Sequence, residues 1–275
     1  MTISIRLFVF CTVFSGLTSA QSFSVSGHRP MAEILDLIEV AIGVPIHYED
    51  PPYQFAGGLE DAATQEMRMR VGNPKFQIFV PKRAALSVAR QSSAFPSDFE
   101  KTSQIQAAVG AFLSTGLKHE FELQKDGKSF FVLPQKTANQ EGTMTLITSV
   151  MSQMVTIPMQ RRPVHEAIAL LLEVAAKSAG AKAVLGNAPF FPQQMVSLGA
   201  NQEPARAVLV KLLEQVGPAA SFSYRLLFDP TLRYYMMNLQ PVAGVNQRSV
   251  PSVPSFSPPQ SDSKSSRWFQ KNPAQ

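Results

Sequence analysis

Cysteine is almost missing from this 275-residue chain, where Cys11 stands alone. It lies inside the apolar run Leu7 to Phe14, behind Arg6 and ahead of Thr18-Ser19-Ala20. A positive start, a short apolar run and a small-residue cleavage site are the layout of an export signal. Residues 1–20 are therefore expected to be removed, which leaves a mature chain without cysteine. An exported chain of that kind is held by core burial and not by disulfides. Phe10 before Cys11 makes a poor lipid-attachment context. Long apolar runs are scarce as well. A spanning helix needs about 20 apolar residues, and no stretch after the signal reaches that length, so no integral membrane segment is expected.

Catalytic signatures are equally absent. No serine sits in a Gly-x-Ser-x-Gly elbow. The Gly57-Gly58 pair is a turn without the rest of a phosphate-binding loop. A formal net charge of +5 is too modest to indicate nucleic acid. His28, His47, His119 and His165 are scattered, whereas a metal site needs converging ligands, so they are expected to be solvated or capping residues. The chain has 11 methionines, among them Met151, Met154, Met159 and the pair Met236-Met237. Thioethers can select Cu(I), but with no cysteine or clustered histidine beside them they read as core fillers. The acidic pairs Glu49-Asp50 and Glu60-Asp61 are expected to be solvated loop charge, because no apolar pocket is visible to shift a pKa. No catalytic, cofactor-binding or metal-binding residue is expected, and the chain reads as a non-enzyme.

What is present is a helix-opening phrase that occurs twice. Arg29-Pro30-Met31-Ala32-Glu33-Ile34-Leu35 and Arg162-Pro163-Val164-His165-Glu166-Ala167-Ile168 both place Pro in a first turn and Glu near the positive end of the helix dipole. The apolar stripe Met31, Ile34, Leu35, Ile38, Ala41, Ile42 recurs 133 positions later as Val164, Ala167, Ile168, Leu171, Val174, Ala175. A second stripe, Ile105, Ala108, Val109, Phe112, Leu113, recurs 100 positions later as Ala205, Val208, Leu209, Leu212, Leu213. The spacing predicts an α+β chain of two repeated small βαββαβ-type modules, residues 21–137 and 138–242, each with two helices packed on small sheets. Strands are expected at Ser22 to Ser26, Val44 to Tyr48, Met154 to Met159, Ala181 to Leu185 and Gln193 to Leu198. Hairpins are expected around Asp126-Gly127 and Asp229-Pro230. Residues 243–275, rich in Pro and Ser, read as a disordered tail.

The two offsets differ by 33, so the first module carries an insertion of that size within its long connection, about 49–103. Lys75 to Pro81 is expected to supply a strand there. Glu49 to Glu66 holds five acidic residues and no basic one, and Arg68 to Arg90 holds six basic residues and no acidic one. Tyr48, Tyr53 and Phe55 flank Pro51-Pro52. Segregated charge with aromatics can make a partner surface. It can equally be a hairpin whose halves neutralise each other. The candidate partner-binding residues are Tyr48, Tyr53, Phe55, Arg68, Arg70, Lys75, Lys82 and Arg83.

The opening strands with their Pro-led helices (Phe23 to Gly43, Val155 to Gly180) and the second helices with their hairpins (Ile105 to Leu133, Pro204 to Leu239) resemble the secretin and TonB N-terminus short domain. No outer-membrane barrel or secretin core follows either copy in this sequence, so the resemblance does not carry a pore or receptor role. It implies an exported, periplasmic or secreted, interaction module of the bacterial cell envelope. Its partner would be a protein of a secretion, pilus or outer-membrane system, bound through a sheet edge or the insertion. The alternative is an enzyme or carrier acting on an anionic envelope polymer through the basic half of the insertion.

Overall fold

The structure, a computed structural model, describes residues 21–91, 96–189, 194–216 and 221–242. The expected signal peptide and tail lie outside the described residues. β1 (Ser22–Gly27) leads into α1 (Pro30–Ile42), in which Pro30 takes a first-turn position and Glu33 sits in the first turn. Gly43 ends the helix at φ 63°, a left-handed conformation that glycine adopts without a Cβ clash, and its N–H donates to the Glu39 carbonyl. β2 (Ile46–Glu49) follows.

The connection after β2 is not a long loop. It contains β3 (Leu59–Asp61), α2 (Gln65–Val71), β4 (Phe79–Pro81) and β5 (Ala84–Ala89). The strand expected over Lys75 to Pro81 is confined to its last three residues. α3 (Asp98–Phe112) starts before the expected stripe, because Ser97 and Glu100 form a reciprocal capping box that satisfies the first N–H groups. The hairpin β6 (His119–Asp126) and β7 (Ser129–Ala138) turns at Gly127, and β8 (Met144–Leu146) pairs back onto β7. The second half runs β9 (Met154–Pro163), α4 (Val164–Ser178), β10 (Ala183–Leu185), β11 (Met195–Pro204), α5 (Ala205–Val216), β12 (Phe222–Asp229) and β13 (Tyr234–Pro241). Pro163 caps α4 from outside and does not occupy its first turn as Pro30 does in α1.

β1 pairs antiparallel with β5, and β9 pairs antiparallel with β11. β2 and β10 lie parallel to the second hairpin strands, β7 and β13, of their own halves. One further pairing joins the halves: β2 lies parallel to β12, with Tyr48 opposite Arg225 and Glu49 opposite Leu226. The result is one seven-stranded sheet in the order β10-β13-β12-β2-β7-β6, with β8 added to β7. The chain is α+β, but its halves are not the separate domains expected from the stripes. One sheet runs through both, and the described residues belong to one compact unit.

The reason is visible in β7. Side chains alternate across a strand, yet Phe130-Phe131-Val132-Leu133 is apolar without a break. Phe130 and Val132 join the core beneath α1 and α3, with Ile34, Leu35, Ile38 and Ile105. Phe131 and Leu133 join the core beneath α4 and α5, with Ile168, Leu171, Leu209 and Leu212. The two helix pairs therefore cover opposite faces of the shared sheet. β5 belongs to the first of these cores through the buried Leu86 and Val88, so it is structural and not part of the insertion. Met151 and Met237 are core fillers, whereas Met154 and Met159 are exposed. Among the described residues no helix is long and apolar enough to cross a membrane.

Candidate binding site

Glu49 and Asp50, expected as solvated loop charge, are fully buried at the junction of the halves. Glu49 ends β2 beside β12. Its Oε1 accepts hydrogen bonds from the Tyr224 hydroxyl (2.7 Å) and Arg206 Nε (3.1 Å), and its Oε2 accepts from Ser149. Burial raises the Glu49 pKa, against the opposing pull of Arg206. Asp50 Oδ1 accepts from the hydroxyls of Tyr48 (2.6 Å) and Tyr53 (3.1 Å). Its Oδ2 accepts from Arg29 Nε (2.9 Å) and from the Phe228 N–H (3.0 Å). Glu49 takes its partners from distant parts of the chain, and Asp50 takes Tyr48 and Tyr53 from beside it and Arg29 and Phe228 from farther away. Unpaired buried charge is strongly unfavourable, and these contacts remove that cost.

A third buried group completes the junction. Arg225 on β12 reaches α1, donating to Asp36 through Nε (2.9 Å) and a terminal nitrogen (2.6 Å), and to the Ile46 carbonyl. Glu39 Oε1 accepts from Ser223 (2.8 Å), and its Oε2 accepts from the Ile46 N–H (2.8 Å). Burial raises the Glu39 pKa. His47 is not the expected solvated histidine. It stacks between Phe131 and Tyr224, with ring centroids 4.6 Å away on each side, and its Nδ1 accepts from the Tyr224 N–H. Burial, then the charges of Arg225 and Arg206, push its pKa down to about 3. His119 is also buried, bonded to Thr137 (2.8 Å), with a pKa pushed down to about 4 by burial.

The eight expected partner-binding residues divide into three groups. Tyr48 and Tyr53 are buried with their hydroxyls on Asp50, which removes them from the exposed surface. Arg68, Arg70 and Lys75 lie on α2 and the turn after it. Arg68 pairs with Asp61 (2.5 Å) and Arg70 with Glu66 (3.4 Å), so in this part of the insertion the two charge halves neutralise each other. Phe55, Lys82 and Arg83 come together in one recess, with the edge of Tyr53 as part of its wall.

That recess has a volume of about 270 Å³. Phe55, Gly57 and Gly58 line one side, Lys82 and Arg83 another, and Thr115 to His119 the third. Its shape depends on close packing around Phe55. A Cβ on Gly57 would lie 2.5 Å from the Phe55 ring, and one on Gly142 would lie 2.9 Å from it. The Lys118 ammonium sits 4.7 Å from the centre of that ring and donates to the Gly142 carbonyl (3.1 Å). Lys82 Nζ donates to the Gly57 carbonyl (3.3 Å). Arg83 has no side-chain partner among the described residues. No Asp or Glu lines the recess.

Lys118 and the Thr115–His119 wall were not among the expected site residues. Lys118 precedes a hairpin strand, and no spacing in the sequence connects it to Phe55 or Lys82. A second, wider groove of about 720 Å³ lies between the insertion (Pro52, Leu59), the connection (Ile147, Val150) and the second half (Ala181, Arg233, Tyr235). No family model, no curated protein and no solved structure matches this chain.

Proposed function

We propose that this chain is a non-enzymatic interaction protein of the bacterial cell envelope, exported by its N-terminal signal, that docks a protein partner on the face of the first-half insertion. On this reading the halves are repeated units akin to the secretin and TonB N-terminus short domain, fused through β2 and β12 into one scaffold. The observation that carries it is the recess of Phe55, Lys82, Arg83 and Lys118, with three cations and no lining carboxylate. The acidic residues that would serve an enzyme, Glu49 and Asp50, are meanwhile buried and saturated. A recess beside the His119–Ala138 end of the β6–β7 hairpin, offering charge and an aromatic wall, is the kind of feature that selects a partner.

The test is a pull-down from envelope extract with the exported chain. Arg83→Ala combined with Lys118→Ala should lose the partner, and Arg70→Ala combined with Lys75→Ala should keep it. Retention by the first variant together with loss by the second would place docking elsewhere. The same cations favour one other reading, a carrier for an anionic envelope polymer. Capture of polysaccharide in place of protein in that pull-down would select it.

A further inference from the structure

We propose that the recess is a receptor for a carboxylate side chain on an extended acidic peptide segment, an assignment that rests on partner docking at this face. The donors are in place and mostly unspent. An ammonium has three N–H donors, and Lys82 and Lys118 each direct one at a carbonyl; Lys118 also lies over the Phe55 ring, and each keeps donor capacity beyond its carbonyl bond. Arg83 lines both this recess and a neighbouring groove that holds Glu33, Asp36 and Arg225, and its guanidinium, which can grip a carboxylate through two bonds, has no side-chain partner among the described residues. Neutral residues complete the wall. His119 stays uncharged at physiological pH, and the Asp50 carboxylate behind it is occupied by Arg29, Tyr48, Tyr53 and the Phe228 N–H. An entering anion therefore meets positive charge and no Asp or Glu in the recess wall.

Charge and apolar contact favour a carboxylate over a phosphate. Thr115, Gly116 and Leu117 follow the C-terminal end of α3. A helix C-terminus carries partial negative charge, which opposes a dianion more than a monoanion. The Phe55 ring and Leu117 give apolar contact to the methylenes that carry a Glu carboxylate, a surface that inorganic phosphate does not use.

The experiment uses the exported chain and a fluorescently labelled tetra-glutamate peptide, with tetra-glutamine as control and inorganic phosphate as competitor. Tetra-glutamate should bind, more weakly as salt rises, and tetra-glutamine should not. Arg83→Ala with Lys118→Ala should weaken binding about tenfold or more. Arg70→Ala with Lys75→Ala removes the same net charge away from the recess and should change it less than about twofold. Thermal unfolding of both variants checks that they are folded. Equal weakening by the two pairs would mean diffuse charge attraction and would overturn the proposal. So would absence of tetra-glutamate binding at low salt, or phosphate binding more tightly than the peptide with the same dependence on Arg83 and Lys118. Partner capture from extract without tetra-glutamate binding sinks the ligand class alone. Tetra-glutamate binding that needs Arg83 and Lys118, with no envelope partner captured, supports the ligand class and counts against the docking reading.

Discussion

Glu49-Asp50 and Glu60-Asp61 are the same dipeptide in one connecting region, and they have opposite fates. The first pair ends β2 in the middle of the shared sheet, where Arg206, Tyr224 and Arg29 arrive from elsewhere in the chain to meet it. The second pair lies on β3, in a two-stranded ribbon with β4 that touches the core beneath α4 and α5 only through the partly buried Leu59. Glu60 meets His28 at 3.2 Å with both side chains about a third exposed, and Asp61 accepts from the Ala63 and Ile78 N–H groups and from Arg68. Identical chemistry thus serves assembly in one place and local turn structure in the other. Position in the sheet decides which, because only burial makes an ionic partner obligatory.

Breaking the first pair is expected to give the largest effect. Glu49→Ala leaves Arg206, Tyr224 and Ser149 without their acceptor and should cost about 3–5 kcal/mol in chemical denaturation. Removing charge from both sides, as in Glu49→Leu with Arg206→Met, should cost clearly less, because no buried ion is stranded. A double variant as unstable as the single one would mean that the pair contributes packing and not charge compensation.

The sheet's two faces allow a second comparison of slightly smaller size. Leu35→Ala opens the core beneath α1, and Ile168→Ala opens the core beneath α4; both residues are fully buried. Each should cost about 2–5 kcal/mol. Because β2, β7 and β12 contribute to both faces, the two variants should each lower a single cooperative transition. Two separable transitions would mean that the halves unfold as independent domains after all.

Protonation sharpens the comparison further. His47 and His119 have folded-state pKa values of about 3 and about 4, below the ordinary value of 6.5. The unfolded chain therefore holds more protons than the folded one across that interval, and stability falls as pH drops from about 6.5 toward 4. The raised pKa values of Glu49 and Glu39 act in the opposite sense, since their contribution shrinks as pH rises above the ordinary carboxylate range. His47→Gln should flatten the acid limb by about one proton. An unchanged slope would show that His47 is protonated while folded.

Part of this architecture is legible in the sequence, and what is not legible there shares a physical cause. The helical stripes and both hairpins follow from local periodicity, and they stand where the spacing puts them except at the stripe ends, where Ala41 and Leu113 are exposed. The stripes predict small sheets for each module and miss the fusion of the halves, although the unbroken runs Phe130 to Leu133 and Leu226 to Phe228 bear on it, because a strand apolar on both sides must be covered on both sides. The burial of Glu49 and Asp50 was not legible. Their partners Arg206 and Phe228 lie 157 and 178 positions away, a distance over which no local pattern carries information. The recess fails the same way, since Lys118 reaches Phe55 only after β6 has joined the sheet edge.

The smallest effect is expected at the second acidic pair. Glu60→Gln removes the carboxylate that faces His28, but that histidine also has a hydrogen-bonding contact with the Pro81 carbonyl at 2.9 Å, so it is not left unpartnered. The pair is partly solvated, where ionic attraction is screened and offset by the entropy of fixing two side chains. The change in unfolding free energy should stay within about 0.5 kcal/mol and should not vary with salt beyond that range. β3 pairs with β4 through its backbone, with Glu60 opposite Val80, and the substitution leaves those bonds intact. A loss approaching that of Glu49→Ala would mean that the ribbon is as integral to the fold as the shared sheet, and the division between assembling and local acidic residues would not hold.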